Sequence, residues 1–170
     1  YYRRTRDYWL RERTEAGMAE MFGHMATLDR RTTACDTRAM LAWLEAQPAA
    51  DASRIGAVGY CMSGPFVVWA AVDFPGRLAC IASIHGANMM TASPDSPHAV
   101  AAHLRCESYF ACAETDKWAP PEHVQALEAS LRDGGVPHRV EWYPGTEHGF
   151  NRQGYPPYNE GAAAEARHPS

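Results

Sequence analysis

The sequence lacks the features that mark several specialised classes of protein. No run approaches the roughly 20 consecutive apolar residues that a membrane-spanning helix needs. Basic residues do not outnumber acidic ones, and the net charge of -4 disfavours nucleic acid as a partner. No signal peptide, internal repeat or low-complexity segment is visible. What remains is a chain of 170 residues, long enough for a single globular domain with a real core.

Signals for a disulfide framework or a metal site are also missing. The chain has five cysteines, and none of their spacings is typical of a metal site or of paired disulfides. They are Cys35, Cys61, Cys80, Cys106 and Cys112. An odd number of free thiols is typical of a reducing compartment, so the sequence predicts a cytoplasmic protein that holds no metal ion.

Strand-like and helix-like segments alternate along the chain. The predicted strands cover residues 54–60, 78–84, 107–113 and 138–143, and the predicted helices cover residues 28–46, 65–74, 120–132 and 160–165. The first two strands are continuously apolar, as expected of strands buried in the middle of a sheet. We expect Pro144-Gly145 to end the last strand. The alternation predicts the α/β class, with a mostly parallel sheet flanked by helices in one domain.

The segment Gly59–Gly64 (GYCMSG) lies between the first of these strands and the helix that follows it. A turn of small residues from strand to helix, with a nucleophile at its centre, is the context of a nucleophile elbow. Gly59 leaves room for a sharp backbone turn, and the N–H of the residue after the nucleophile points into the site. The pattern predicts that Cys61 is a nucleophile; the alternative is a buried structural cysteine.

Two further polar residues follow predicted strands. Asp116 comes after the third strand and His148 after the fourth. Because functional residues of such sheets gather at the carboxyl ends of the strands, we expect both to lie near Cys61. An imidazole can accept the proton of a thiol, and a carboxylate can hold that imidazole in the required tautomer. The chain order nucleophile, acid, histidine is that of α/β-hydrolases.

Other readings of these polar residues stay open. Glu114 is a rival for the role of the acid, and Asp116 is alternatively a helix-capping residue before Pro120. His85 and His98 are predicted to be structural rather than catalytic, because one base suffices for such a set.

Several segments across nearly the whole chain resemble the dienelactone hydrolase family. The matching segments are Gly59–Met62, Ser83–Gly86, Ser96–His98, Ala113–Asp116 and Tyr143–Phe150. The resemblance implies an α/β-hydrolase-type fold in which Cys61 is the nucleophile, Asp116 the orienting acid and His148 the base. It also implies that the backbone N–H of Met62 binds the oxyanion. The implied substrate is a small ester or lactone, and no metal or organic cofactor is implied.

The same resemblance implies residues that bind the substrate. Arg3 and Arg152 fall where the family places cations for a substrate carboxylate, and a guanidinium can grip a carboxylate with two parallel hydrogen bonds. The substrate is therefore expected to be anionic. Trp118 is predicted to line the pocket, with plain packing as the alternative.

The sequence also departs from the family pattern. Ser63 replaces the glycine usual at that position, and we expect slight strain there. The family's N-terminal strands, the loop with a second oxyanion N–H and a glutamate that helps form the thiolate have no counterpart in these residues. The last helix is short as well. We therefore expect residues 1–170 to form one partial α/β-hydrolase domain with an exposed sheet edge, through which the chain could self-associate.

These observations favour a cysteine-dependent hydrolase of esters or lactones that acts through an acyl-enzyme. One alternative is a non-catalytic or truncated hydrolase-fold protein that serves binding or assembly. A second alternative is a redox-sensing thiol at Cys61. Neither nucleic acid nor a membrane is an expected partner.

Overall fold

Four parallel strands form one sheet in the computed structural model, which describes Tyr8 and residues 10–168. The strands are β1 (Ile55–Tyr60), β2 (Leu78–Ile84), β3 (Glu107–Thr115) and β4 (His138–Glu147). Their order in the sheet is β1-β2-β3-β4, and every neighbouring pair is parallel. The strands alternate with helices along the chain. The predicted α/β class and parallel sheet are confirmed.

Six helices accompany these strands in the described part of the chain. They are α1 (Glu15–Met25), α2 (Arg30–Glu45), α3 (Gly64–Asp73), α4 (Pro97–Val100), α5 (Pro121–Asp133) and α6 (Glu160–Arg167). Helix α2 begins with a capping box, in which the Asp29 side chain accepts from the Thr32 N–H and the Thr32 hydroxyl accepts from the Asp29 N–H. None of the described helices is both long and apolar enough to cross a membrane.

The main core lies on the sheet face that is covered by α3 and α5. Val68 of α3, Phe110 of β3 and Leu131 of α5 are each at most 2% exposed and belong to one apolar cluster. Burying side chains of this size contributes about 1.5–3 kcal/mol each. This packing fixes α3, and therefore the turn that leads into it, firmly against the sheet.

The opposite face is covered at only one end in the described residues. There, Ile84, Tyr143 and Phe150 pack with Ala166 of α6. Towards β1 the same face is open, because Val58 is 54% exposed and Cys80 is also exposed. The prediction that β1 and β2 are buried within the sheet is therefore wrong for this part of both strands. The reason is that β1 is the edge strand and no described element packs over its outer face.

Strand β4 also differs from the prediction, because Pro144-Gly145 does not end it. The pairing with β3 shifts register at this point and resumes with Thr115 opposite Glu147. Gly145 adopts a φ of 69°, a conformation that glycine reaches without strain, and its N–H donates to the Glu114 carboxylate. The dipeptide is thus an irregularity within a longer strand. The extended strand carries the chain directly to His148.

Candidate active site

A sharp turn holds Cys61 at the carboxyl end of β1. Cys61 has a φ of 52°, in the left-handed region that residues other than glycine rarely adopt. It begins a single turn of 3₁₀ helix (Cys61–Ser63) that leads into α3. A Cβ atom at Gly59 would overlap the carbonyl group of Ser63, so the turn requires glycine there. These features are those of a nucleophile elbow.

The start of α3 lies unusually close to the end of β2. A Cβ atom at Gly64 would lie 2.6 Å from the Cα of Gly86 and 2.5 Å from the hydroxyl of Ser83. The departure from the family pattern was predicted at Ser63, but the close approach of the helix to the strand is made by Gly64, one residue later. The strain expected at Ser63 is absent from its backbone, since its φ is an ordinary -90°. Its hydroxyl accepts from the N–H of Tyr60 and donates to the carbonyl of Tyr60, which ties the turn together.

Three predicted residues lie in one hydrogen-bonded line. The Nε2 atom of His148 lies 3.1 Å from the Sγ atom of Cys61. On the other side of the ring, Nδ1 lies 2.7 Å from Oδ2 of Asp116. Because an ionised carboxylate only accepts hydrogen bonds, Nδ1 carries a hydrogen, and Nε2 faces the thiol. The arrangement allows Nε2 to accept a proton from Cys61.

Asp116 is held by the loop between β3 and α5. Its Oδ1 atom accepts from the backbone N–H groups of Trp118 at 2.8 Å and Ala119 at 3.3 Å, which leaves Oδ2 for His148. The residue is 7% exposed. The N-cap of α5 is Pro120, so Asp116 does not cap that helix. The two hydrogen bonds from the loop backbone orient the Asp116 carboxylate towards the imidazole of His148.

The surroundings of His148 favour its charged form. Burial lowers its pKa, but the hydrogen bonds and negative charges of Asp116 and Cys61 outweigh burial and raise the pKa to about 9. An imidazolium that forms when His148 takes the thiol proton is therefore stabilised from both sides of the ring.

A sequence model described as the dienelactone hydrolase family matches residues 1–169. The chain belongs to the dienelactone hydrolase family. It is 26% identical over 136 residues to a Synechocystis protein named as a carboxymethylenebutenolidase, in an alignment that covers 77% of this chain and 54% of the relative. It is also 28% identical over 101 residues to the hydrolase TropI of Talaromyces stipitatus. That alignment covers 59% of this chain and 36% of the relative.

A solved structure gives the corresponding comparison of folds. A Klebsiella pneumoniae protein named as a dienelactone hydrolase superposes with a TM-score of 0.71 at 23% identity, covering 78% of this chain and 55% of that one. This similarity supports the α/β-hydrolase-type fold. The chain spans about half the length, or less, of the curated relatives that it matches.

The other candidate acids and bases of this dienelactone hydrolase family member have different partners. The Glu114 carboxylate accepts from the Gly145 N–H at 2.8 Å. His98 lies in α4, where its Nδ1 is 2.7 Å from the Ser96 hydroxyl. His85 instead lies beside the site, with its ring centroid 4.8 Å from that of His148. No group of three or more His, Cys, Asp or Glu side chains within residues 10–168 is arranged to hold a metal ion.

A cavity of about 250 Å³ has Met62, the residue that follows Cys61, in its wall, whereas Cys61 itself does not line it. Ala87 also lies in the wall, and its N–H donates to the carbonyl of Cys61 at 2.9 Å. Much of the lining is apolar, and the larger apolar side chains are Met25, Leu28, Phe66 and Trp69. A cavity of this kind suits the non-reacting part of a small organic substrate. No signal in the sequence pointed to this set of residues.

Two of the predicted substrate-binding residues, Arg152 and Trp118, are exposed at the surface. Arg3 lies outside the described residues, so its role stays a prediction. Arg152 is exposed, and its guanidinium lies 5.0 Å from the centre of the Tyr155 ring. Arg13, which the sequence did not single out, also contacts Tyr155, through a 2.8 Å hydrogen bond to its hydroxyl. Trp118 is 38% exposed, with its ring 6.4 Å from that of Phe22.

Proposed function

We propose that this protein hydrolyses carboxylic esters or lactones through a covalent acyl-enzyme on Cys61. The observation that carries the proposal is the position of the His148 ring, with Nε2 3.1 Å from the Cys61 sulfur and Nδ1 2.7 Å from the Asp116 carboxylate. This is the relation of nucleophile, base and orienting acid on which acyl transfer depends.

In the first half of the reaction, His148 takes the proton of Cys61 and the sulfur attacks the carbonyl carbon of the ester. The carbonyl π electrons move to the oxygen, which becomes the oxyanion of a tetrahedral intermediate. The backbone N–H of Met62, at the start of the 3₁₀ turn, is the proposed donor to this oxyanion; one such donor contributes about 3 kcal/mol. The intermediate collapses, the alcohol leaves with the proton from His148, and a thioester remains on Cys61.

In the second half, His148 removes a proton from water, and the water oxygen attacks the thioester carbonyl. Collapse of the second tetrahedral intermediate releases the carboxylic acid and returns the proton to the sulfur. In a lactone the alcohol and the acid belong to one molecule, so a single hydroxy acid is released at this step. Asp116 holds the imidazole in the required tautomer throughout and stays ionised.

The surroundings of the site support a small substrate. The 250 Å³ cavity beside Met62 has room for a short acyl or alkoxy group. The names of two relatives, a carboxymethylenebutenolidase and a dienelactone hydrolase, also favour lactones. An anionic substrate remains part of the proposal, with Arg3 and Arg152 as the residues that would bind its carboxylate.

The test compares hydrolysis of an activated ester, p-nitrophenyl acetate, with hydrolysis of a simple lactone, dihydrocoumarin. Cys61→Ala should abolish turnover of both. Cys35→Ala is the matched control, because Cys35 is an exposed thiol in α2 that an activated ester can also reach; this variant should keep the wild-type rate. Equal turnover by wild type and Cys61→Ala would refute the proposal, and a folded chain without turnover would support the non-catalytic alternative.

A further inference from the structure

His85 occupies a constrained position between β2 and the loop that carries His148. It directly follows β2 and has a φ of 39°, in the left-handed region. Its backbone N–H donates to the carbonyl of Ala111 in β3 at 2.7 Å. The residue is only 4% exposed. A non-glycine residue in this conformation is costly, and such strain persists only where the surroundings hold the residue in place.

The His85 side chain is directed to the His148 loop. Its Nε2 atom lies 2.6 Å from the side-chain oxygen of Asn151, three residues beyond His148. Its ring meets the edge of the His148 ring at 4.8 Å and that of Phe150 at 5.6 Å, between centroids. His85 thus contacts three of the four residues in the segment His148–Asn151.

The hydrogen bond indicates which nitrogen of the His85 ring carries a hydrogen. An amide oxygen only accepts, so Nε2 carries the hydrogen. The other ring nitrogen, Nδ1, is buried and has no hydrogen-bond partner within the described residues. Burial lowers the pKa of His85; the Asn151 bond opposes this, and the nearby His148 lowers the pKa further by a smaller amount. A neutral His85 is favoured here, because a second imidazolium would repel the charged form of His148.

We propose that His85 is a positioning residue: by donating to Asn151 it fastens the segment His148–Asn151 to the end of β2 and so keeps His148 in line with Cys61. This inference rests on the proposed function. His85 acts on the reaction through His148 and does not itself touch the reacting atoms. The reason the contact matters is that catalysis is sensitive to shifts of about 1 Å in such a group, which can reduce the rate about 100-fold.

The decisive comparison uses three variants. His85→Phe keeps a planar ring but removes the donor. His85→Gln keeps an N–H donor at the end of a side chain of similar reach. Asn151→Ala removes the acceptor from the other side and is the backup if His85→Phe does not fold, which circular dichroism and urea unfolding would reveal.

Two readouts separate this inference from the proposed function. The first is the rate at which Cys61 is alkylated by iodoacetamide, which depends on proton transfer to His148 but not on ester turnover. The second is kcat for p-nitrophenyl acetate. His85→Phe and Asn151→Ala should each reduce both rates by about 10- to 100-fold, with KM little changed. His85→Gln should retain most of each rate.

The double variant His85→Phe with Asn151→Ala completes a double-mutant cycle, which measures whether the two side chains act through the same contact. Because both single changes break the same contact, the double variant should be no slower than the slower single variant. Wild-type alkylation rates in His85→Phe and Asn151→Ala would overturn the inference, and so would fully multiplicative losses in the double variant. If the rate of Cys61 alkylation depends on His85 as expected but the wild-type protein hydrolyses no ester, the proposed function fails while the positioning role stands.

Discussion

His148 Nε2 lies 3.1 Å from the sulfur of Cys61, although the two residues are 87 positions apart in sequence. A different local structure brings each of the two residues to this contact. Cys61 projects from a left-handed turn that the packing of α3 on the sheet holds in place, and His148 follows a strand that runs past a proline. The contact therefore depends on the sheet as a whole, and the predictions below test separate parts of it.

Replacing Asp116 with Asn should leave the fold intact but reduce kcat for p-nitrophenyl acetate by about 10³- to 10⁴-fold. The amide can donate to the imidazole where the carboxylate only accepts, which favours the wrong tautomer of His148. Glu114→Gln is the control, since Glu114 is the nearby rival acid but bonds to the Gly145 N–H. Steady-state kinetics of both variants would check this. A larger loss of kcat in Glu114→Gln than in Asp116→Asn would contradict the assignment of Asp116 as the acid.

Replacing Gly59 with Ala should destabilise the protein, because the new Cβ would overlap the Ser63 carbonyl in the turn. Overpacking of this kind costs about 1–3 kcal/mol. Gly23→Ala in α1 is the matched control: nothing lies within 4 Å of its added Cβ, and alanine favours a helix. Urea unfolding should show a loss for the first variant and no loss for the second. An unchanged free energy of unfolding in Gly59→Ala would show that the turn is not tight.

The raised pKa of His148 predicts how its contribution to stability changes with pH. Its folded-state pKa of about 9 exceeds the ordinary value of 6.5, so the folded state binds this proton more tightly than the unfolded state. The stabilisation is therefore fully present below the ordinary value and is lost as pH rises through about 9. We expect the difference in unfolding free energy between wild type and His148→Gln to shrink between about pH 6 and about pH 10.

Comparing the two proteins at each pH cancels the titration of the groups that do not interact with His148; the contributions of its two partners, Asp116 and Cys61, remain in the difference. A difference that grows with pH would mean that His148 is neutral in the folded protein. A difference that stays constant would mean that Asp116 and Cys61 do not favour its charged form.

Much of the fold follows from local patterns in the sequence. The predicted helix over residues 28–46 corresponds to α2, and the apolar run at residues 78–84 coincides with β2. The first segment has helical spacing of its apolar residues and the second is a continuous apolar run, and in both the local pattern and the tertiary structure agree. The elbow was predictable for the same reason, since the steric demand for glycine at position 59 is local.

The errors concern features that local patterns do not encode. The apolar sequence of β1 predicts burial on both faces, but whether a strand is covered depends on which elements pack over it. Pro144-Gly145 signals a turn, but the same pair is accommodated as an irregularity because the Glu114 carboxylate binds the Gly145 N–H. In both cases the outcome depends on tertiary packing rather than on the local sequence.

The candidate site was predictable in part. Cys61, Asp116 and His148 follow strands, and the carboxyl ends of parallel strands meet at one edge of the sheet. The bond between His85 and Asn151 joins residues 66 positions apart and has no local signature, so only the structure brings them together. The same holds for Arg13 and Arg152, which meet at Tyr155.

The central claim is that Cys61 forms an acyl-enzyme that water then hydrolyses. Intact-mass spectrometry of the purified chain after mixing with p-nitrophenyl acetate tests it most directly, with Cys61→Ala beside it. We expect an adduct of acetyl mass that appears in wild type, maps to Cys61, decays with time and is absent from the variant. The claim would be contradicted if the folded wild-type chain formed no adduct, or formed the same adduct as Cys61→Ala.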